Sequence, residues 1–399
     1  MWQTVSLGDV CTISSSKRIF AKEYQTEGIP FYRGKEVIEK HNGNSVSTEL
    51  FISPERYEEI KSKFPVPKKG DILLTSVGTL GISWLVDEEK FYFKDGNLTW
   101  LRCNAKILSG YLYLWLNSAE AQNQIDAKCI GSTQKALTIE TLNKFQITLP
   151  SLGVQEKIVS LVKPIESRIN NNMKINENLL QQALAIYKAW FCDYVLSYGV
   201  LPESWHITTI DALSSLVTRG IAPKYDDNNT QIVLNQKCIR DHTIDVSLAR
   251  RHLPKKINEK WISKGDLLIN STGTGTLGRV AQVWFDANNM TVDSHVTIVR
   301  PKIPILQSYI GFWGLSHESE IEAQHTGSTG QTELPRDRVK AMELILPDGD
   351  TLSKFNELVI PMTDAVVSNQ KENARLSQLR DTLLPKLMSG EIDVSELEL

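Results

Sequence analysis

Residues 158–190, IVSLVKPIESRINNNMKINENLLQQALAIYKAW, decide the architecture. Taken at alternating steps of four and three they give Ile158, Val162, Ile165, Ile169, Asn172, Asn176, Leu179, Ala183, Ile186 and Trp190, the spacing of a coiled-coil seam with two asparagines at its middle. Moved on by 197 places, the register falls on Phe355, Val359, Met362, Val366, Asn369, Asn373, Leu376, Arg380, Leu383 and Leu387. The asparagine pair recurs at the same depth, Pro164 maps onto Pro361 and Lys174 onto Lys371. One helical element is used twice.

The repeat extends outward from the helices over nearly the whole chain. Trp2-Gln-Thr-Val-Ser-Leu7 resembles Trp205-His-Ile-Thr-Thr-Ile210, and Lys69-Gly-Asp-Ile-Leu-Leu74 resembles Lys264-Gly-Asp-Leu-Leu-Ile269. Gly78-Thr-Leu-Gly81 returns as Gly275-Thr-Leu-Gly278, Gly131-Ser-Thr133 as Gly327-Ser-Thr329, and Leu149-Pro150 as Leu346-Pro347. A period this long marks a duplicated domain rather than a solenoid of 20–50-residue repeats. Each copy opens with short alternating segments broken by turn residues, such as Gly28–Arg33 and Thr230–Asn235, which read as strands. Lys-Gly-Asp reads as a turn into a buried strand, helices are expected at Ser109–Asp126 and Pro304–Ile321, and a final strand at Phe145–Leu149 or Met342–Leu346 leads into the long helix. The expected division is residues 1–150, 151–198, 199–347 and 348–399, alternately globular and helical.

Asparagines in two equivalent seams pair with each other at some loss of stability and select one register. Asn172, Asn176, Asn369 and Asn373 are therefore the predicted pairing residues, and antiparallel pairing would hold the two globular parts at opposite ends of a rod. A helix-interior proline removes a hydrogen bond and costs about 3 kcal/mol or more, so Pro164 and Pro361 are expected to break or kink the helices. A long helix begun at Pro164 and ending at Phe191 extends roughly 40 Å at ~1.5 Å per residue.

The formal net charge of −3 argues against a protein that coats nucleic acid indiscriminately, while leaving specific binding open. Basic residues do cluster locally, at Lys17, Arg18, Lys22, Arg33 and Lys35, and at Arg219, Lys224, Lys237, Arg240, Arg250, Arg251, Lys255 and Lys256. The five cysteines are scattered without a C-x-x-C pair, which indicates neither a disulfide framework nor a zinc site. No apolar run approaches the ~18 residues of a membrane span, and the start lacks signal-peptide features, so a cytoplasmic protein without membrane contact is expected.

Catalytic signatures are missing: no G-x-x-x-x-G-K-[ST], H-E-x-x-H, G-x-S-x-G or Asn-Pro-Pro-aromatic sequence occurs. Gly273-Thr-Gly275-Thr-Leu-Gly278 fits the G-x-G-x-x-G dinucleotide fingerprint, with Asp293 twenty residues on. The next segment, Arg279-Val-Ala-Gln-Val-Trp-Phe285, reads as a strand, however, with no helix N-terminus to meet a pyrophosphate, and Ser76 replaces Gly273 in the first copy. His295, near Asp293, reads as a hydrogen-bonded structural residue rather than a base. The repeated polar loops instead suit a reader of a polar surface, since hydroxyls and amides contact phosphates and base edges. With the basic clusters they give the candidate DNA contacts: Lys17, Arg18, Arg33, Lys35, Thr75, Ser76, Thr79, Ser132, Thr133, Gln134 and Lys135 in the first copy. In the second copy they are Arg219, Lys224, Asn235, Lys237, Arg240, Asn270, Ser271, Thr272, Thr274, Arg279, Ser328, Thr329 and Gln331.

Leu379-Arg-Asp-Thr-Leu-Leu-Pro-Lys-Leu-Met-Ser-Gly-Glu-Ile-Asp-Val394 resembles the closing segment of the specificity subunits of type I restriction–modification systems, and Ala185-Ile-Tyr-Lys-Ala-Trp-Phe-Cys-Asp-Tyr194 resembles the end of their central helical region. The resemblance implies an α+β chain: two target-recognition domains in pseudo-twofold repeat, separated by an antiparallel coiled coil of two long helices. It implies a non-catalytic subunit that recognises a bipartite site in double-stranded DNA, the paired helices acting as a ruler and as a dock for two modification subunits. Those partners would carry S-adenosylmethionine and methylate adenine, this chain holding no cofactor or metal itself, and ATP-dependent restriction subunits would join for cleavage. Half-sites about one turn apart, ~34–36 Å, match the ~40 Å helix. Arg380, at the seam position of Ala183, departs from the repeat. The rival reading is a scaffold that binds proteins through its coiled coil and never touches DNA.

Overall fold

The computed structural model describes residues 2–128, 136–327 and 332–397. The chain forms two compact units, the first Met1–Lys174 with Gln370–Leu399, the second Ile175–Asn369. Both are α+β and share one topology. In the first unit the strands Cys11–Ser14, Leu98–Cys103, Ile72–Thr75 and Ser83–Leu85 make an antiparallel sheet in that spatial order. The second unit repeats it with Ser214–Arg219, Val296–Pro301, Leu267–Asn270 and Val280–Gln282. Beside each lies a three-stranded sheet whose middle strand, Ile29–Tyr32 or Gln231–Leu234, pairs parallel to Tyr92–Phe93 or Met290–Val292.

The Lys-Gly-Asp turns have a common construction. Gly70 and Gly265 take φ of +88° and +94°, which a β-carbon would disfavour. The next residue is a buried carboxylate that closes the turn, Asp71 accepting from the Lys68 N–H at 3.0 Å and Asp266 from the Ser263 N–H at 2.8 Å. Each carboxylate also ties the turn to the neighbouring strand, through the Trp100 indole N–H at 2.9 Å or the Arg300 guanidinium at 2.7 Å. The units differ where the chain leaves the middle strand of the small sheet: the first inserts a helix, Gly34–His41, and the second a hairpin, Ile239–Arg240 with Thr243–Ile244.

The long helices are Leu152–Phe191 and Gly349–Ser389, 40 and 41 residues. Neither breaks at its proline, contrary to the sequence expectation, and the helical lengths are about 60 Å at ~1.5 Å per residue rather than ~40 Å. The physical reason is the face on which the prolines fall. Pro164 and Pro361 are exposed, as are Ser160 and Glu357, whose carbonyls lose their helical donor; water reaches these groups, and helices curve with the solvent side convex. The opposite face is buried. In the first unit Ile158 and Val162 share a core with Leu384, Leu387, Met388, Tyr111 and Trp115, while Arg168 and Asn172 meet Glu372. In the second unit Ala183, Tyr187 and Phe191 pack with Phe355 and Val359, the Phe191 and Phe355 rings 5.0 Å apart, while Asn176 meets Asn369. Rising numbers on one helix meet falling numbers on the other, so the pairing is antiparallel within each unit. Burying each of these large apolar side chains stabilises by roughly 1.5–3 kcal/mol, which outweighs the local proline penalty.

The strands that lead into the long helices, Gln146–Leu149 and Glu343–Leu346, are tied to a recurring short helix, Ser109–Leu116 or Gln307–Ser316. Tyr111 donates its hydroxyl to the Thr148 carbonyl at 2.9 Å, and Tyr309 does the same to Ile345. Arg380 is half-buried and pairs with its neighbour Asp381 at 2.8 Å, whereas Ala183 is buried in the second unit's core. No described helix is long and apolar enough to cross a membrane, and no cluster of metal-ligating side chains occurs among the described residues.

Candidate nucleic-acid interface

In each unit the small and large sheets bring three chain segments together: the exit of the small sheet's middle strand, the loop after the central buried strand, and the short link into the next strand of the large sheet. Four backbone hydrogen bonds fix them identically. Ser76 N–H donates to Asn97 O at 2.9 Å as Ser271 N–H does to His295 O at 2.8 Å, and Gly81 N–H donates to Thr75 O at 3.0 Å as Gly278 N–H does to Asn270 O at 2.8 Å. Lys94 N–H donates to Tyr32 O at 2.8 Å, matched by Asp293 N–H to Leu234 O at 2.9 Å. Thr75 N–H donates to Ile82 O at 2.9 Å, matched by Asn270 N–H to Arg279 O at 2.8 Å.

Thr75, Ser76, Asn270 and Ser271 belong to this framework rather than to a reading surface, which corrects the sequence expectation. All four are buried. The Ser76 hydroxyl lies 2.5 Å from that of Thr99, and Ser271 lies 2.6 Å from Thr297. Thr75 Oγ1 accepts the Ile82 N–H at 2.9 Å, and the Asn270 amide donates to Gln236 O at 3.0 Å. Small polar residues at a strand end satisfy backbone groups that the turn leaves without ladder partners.

The remaining first-unit candidates diverge. Thr79 is exposed at the loop tip. Arg18 is exposed and pairs with Asp95 at 2.7 Å, and the Lys17 ammonium sits 4.4 Å above the Phe64 ring. Arg33 is committed to the fold: it pairs at 2.8 Å with Glu36, which is fully buried. Burial pushes the Glu36 carboxyl up, but the hydrogen bonds from Arg33 prevail and hold it below the ordinary carboxylate range. Lys35 is exposed and donates to Ser47 O at 3.2 Å, away from the loop.

In the second unit Arg219 donates to Leu334 O at 2.7 Å and pairs with the Glu333 carboxylate, while the Glu333 backbone bridges to Thr272 of the loop. Asn235 caps the short turn Gln236–Cys238, its side chain accepting the Lys237 N–H at 2.8 Å. Lys224, Lys237, Arg240 and Thr274 are exposed, and Arg279 is partly exposed. Lys237 and Arg240 share the turn and strand 236–240, and Thr274 and Arg279 share the loop between Leu267–Asn270 and Val280–Gln282. Ser132, Thr133, Gln134, Lys135, Ser328, Thr329 and Gln331 lie outside the described residues.

Two residues not counted among the candidate DNA contacts, Gln236 and His295, stand at this framework with half-exposed and exposed polar groups. His295 Nδ1 is 2.7 Å from the Thr272 hydroxyl, and that hydroxyl is 3.5 Å from Gln236 Oε1. A sequence signal existed only for His295, and only as a possible base beside Asp293; the latter in fact accepts the His295 N–H at 2.9 Å and sets the turn.

Residues 1–181 match the family described as type I restriction modification DNA specificity domain. The chain is 25% identical, over 99% of its own length and 94% of the relative's, to the type I restriction enzyme MjaIX specificity subunit of Methanocaldococcus jannaschii. It is 21% identical, over 82% of its length and 87% of the relative's, to the type I restriction enzyme HindI specificity subunit of Haemophilus influenzae. Its fold is similar to the crystal structure of the type I restriction–modification system S subunit from M. genitalium, with a TM-score of 0.63, 15% identity and coverage of 97% of this chain and 96% of that one. Residues 1–181 thus match the type I restriction modification DNA specificity domain, and the chain as a whole is similar to type I specificity subunits in sequence and to an S subunit in fold.

Proposed function

We propose that this chain recognises a bipartite sequence in double-stranded DNA, each unit reading one half-site, and directs adenine methylation and cleavage by partner subunits. The observation that carries the reading is one framework used twice beneath different surface side chains: the same four backbone bonds and the same buried Ser–Thr pair recur, while the residues they present differ. Repetition of a scaffold with altered display is what reading two unlike half-sites requires. In this reading the paired helices set the half-site spacing and dock two modification subunits. S-adenosylmethionine resides on those partners, and restriction subunits that hydrolyse ATP complete the assembly in the cytoplasm. This chain contributes selection rather than chemistry.

The test is to express the chain with its modification subunits and map methylated adenines across the host genome. One motif of two short elements around a fixed gap is expected. Methylation without sequence preference, or unchanged methylation when the chain is omitted, overturns the proposal. Assembly with partners but no DNA protection in footprinting would leave the protein-binding scaffold instead.

A further inference from the structure

Resting on that DNA-reading function, we infer that Gln236, Thr272 and His295 form the base-reading group of the second unit, and that Asn97 holds the corresponding reading position in the first. The framework makes the comparison residue by residue. Arg33 and Asn235 both precede the first turn after the middle strand, so Gly34 stands where Gln236 does. Val77 follows Ser76 as Thr272 follows Ser271, and Asn97 precedes the strand Leu98–Cys103 as His295 precedes Val296–Pro301. Gly34, Val77 and Asn97 thus correspond to Gln236, Thr272 and His295 across the repeat. The scaffold is kept and the display is changed.

In the second unit the three side chains are held in place before any ligand arrives. Thr272 bridges the other two, at 2.7 Å from His295 Nδ1 and 3.5 Å from Gln236 Oε1. Gly273 has φ of +105°, and a β-carbon there would lie 2.8 Å from Gln236 Oε1 and 2.4 Å from Thr276 Oγ1, so the glycine allows the glutamine to lie across the loop. The Gln236 main chain is tied down by the buried Asn270 amide at 3.0 Å, and the His295 turn by Asp293 at 2.9 Å. Side chains locked by their neighbours lose little entropy on binding.

The atoms left over match a base edge. His295 is exposed, and neither its Nε2 nor Gln236 Nε2 makes a hydrogen bond among the described residues. A glutamine amide pairs two-pronged with adenine N6 and N7, and an imidazole nitrogen donates to or accepts from a neighbouring base edge according to its tautomer. None of these three side chains is a permanent cation, so the group adds discrimination rather than phosphate affinity. Exposed basic residues such as Lys224, Lys237 and Arg240 supply the latter.

The experiment uses the full chain assembled with its modification subunits, on DNA libraries randomised in each half-site, with Gln236→Ala, Thr272→Val and His295→Asn, the last bringing in the residue of the first unit. Each variant is expected to relax preference at one or two base pairs of a single half-site by on the order of 10- to 100-fold. The other half-site and the salt dependence of binding should stay as in the wild type. Asn97→Ala should relax only the opposite half-site. Unchanged preference in all three variants, or an equal loss on every sequence, overturns the assignment. Thermal melting identifies a variant that fails to fold, and His295→Asn, conservative and exposed, then decides the matter. A wild-type complex with no base preference at all refutes the DNA-reading function itself, which distinguishes that failure from failure of the assigned residues.

Discussion

Asn172 donates its side-chain amide to the Asn373 side-chain carbonyl at 2.9 Å, across the two long helices of the first unit. The same amide reaches Glu372 at 2.7 Å, and Asn172 is fully buried. In the second unit Asn369 donates to Asn176 at 2.8 Å. These contacts hold only in one register, because a slip of a single turn sets a buried amide against an apolar residue of the seam.

Asn172→Leu alone should therefore destabilise by about 1–3 kcal/mol, since the Asn373 carbonyl and a Glu372 oxygen lose their buried donor. Changing Asn172 and Asn373 to leucine together should cost less than the sum of the two single changes, because neither amide then faces an apolar side chain in place of the other. Urea unfolding of the two singles and the double closes the cycle, and strict additivity would show that the pair does not interact.

Glu372 supplies a dependence on acid. The hydrogen bonds from Arg168 and then Asn172 hold its carboxyl below the ordinary carboxylate range, and the Arg168 guanidinium grips it at 2.9 and 3.0 Å. A carboxyl depressed in the folded state contributes stability that is fully present above its unfolded pKa of ~4.3 and is lost as pH falls through its lower folded value. Glu372→Gln should lower stability at neutral pH and flatten the decline below about pH 4.3. Melting curves across that range, wild type against variant, measure it; parallel curves would remove Glu372 as a source.

The buried hydroxyl pairs should behave differently from the reading group. Ser76→Ala or Ser271→Ala removes one partner of a 2.5 or 2.6 Å contact inside the framework. Each is expected to destabilise by about 1 kcal/mol and to leave base preference intact when methylated sites are mapped. A shift in preference without loss of stability would put these hydroxyls at the DNA after all.

The seam is legible in the sequence because burial at Ile158, Val162, Ala183, Phe355 and Val359 leaves a 4-3 period that few other arrangements produce. The continuity of the helices through Pro164 and Pro361 is not, because the proline rule is local, whereas the outcome depends on the exposure of that face and on apolar burial opposite it. That Thr75, Ser76, Asn270 and Ser271 turn inward is not legible either, since a short polar run reads alike whether its hydroxyls turn inward or out. Gln236 and His295 escape a sequence reading because the loops differ in length between the copies: three residues link Val292 to Val296 where four link Phe93 to Leu98. A fixed sequence offset does not align them; strand register does.

His252 is a buried polar side chain left without partners among the described residues. It lies on the strand Arg250–His252, fully buried, and neither ring nitrogen has a hydrogen-bond partner among the described residues. Burial first, and the positive charge of Lys255 second, push its pKa below the ordinary value. The unfolded chain therefore takes up a proton near pH ~6.5 that the folded unit resists, so stability falls as pH drops through and below about 6.5. His252→Leu removes two buried polar atoms without partners and fills the site with apolar volume. It should raise stability by about 1–3 kcal/mol at neutral pH and abolish the decline on acidification in that window. Thermal melts at about pH 7.5 and 5.5, values chosen to lie about one unit either side of the unfolded pKa, decide it. A wild-type midpoint that stays level between them, or a leucine variant that melts lower at both, would mean that the ring finds partners through water and that its burial is not a source of instability.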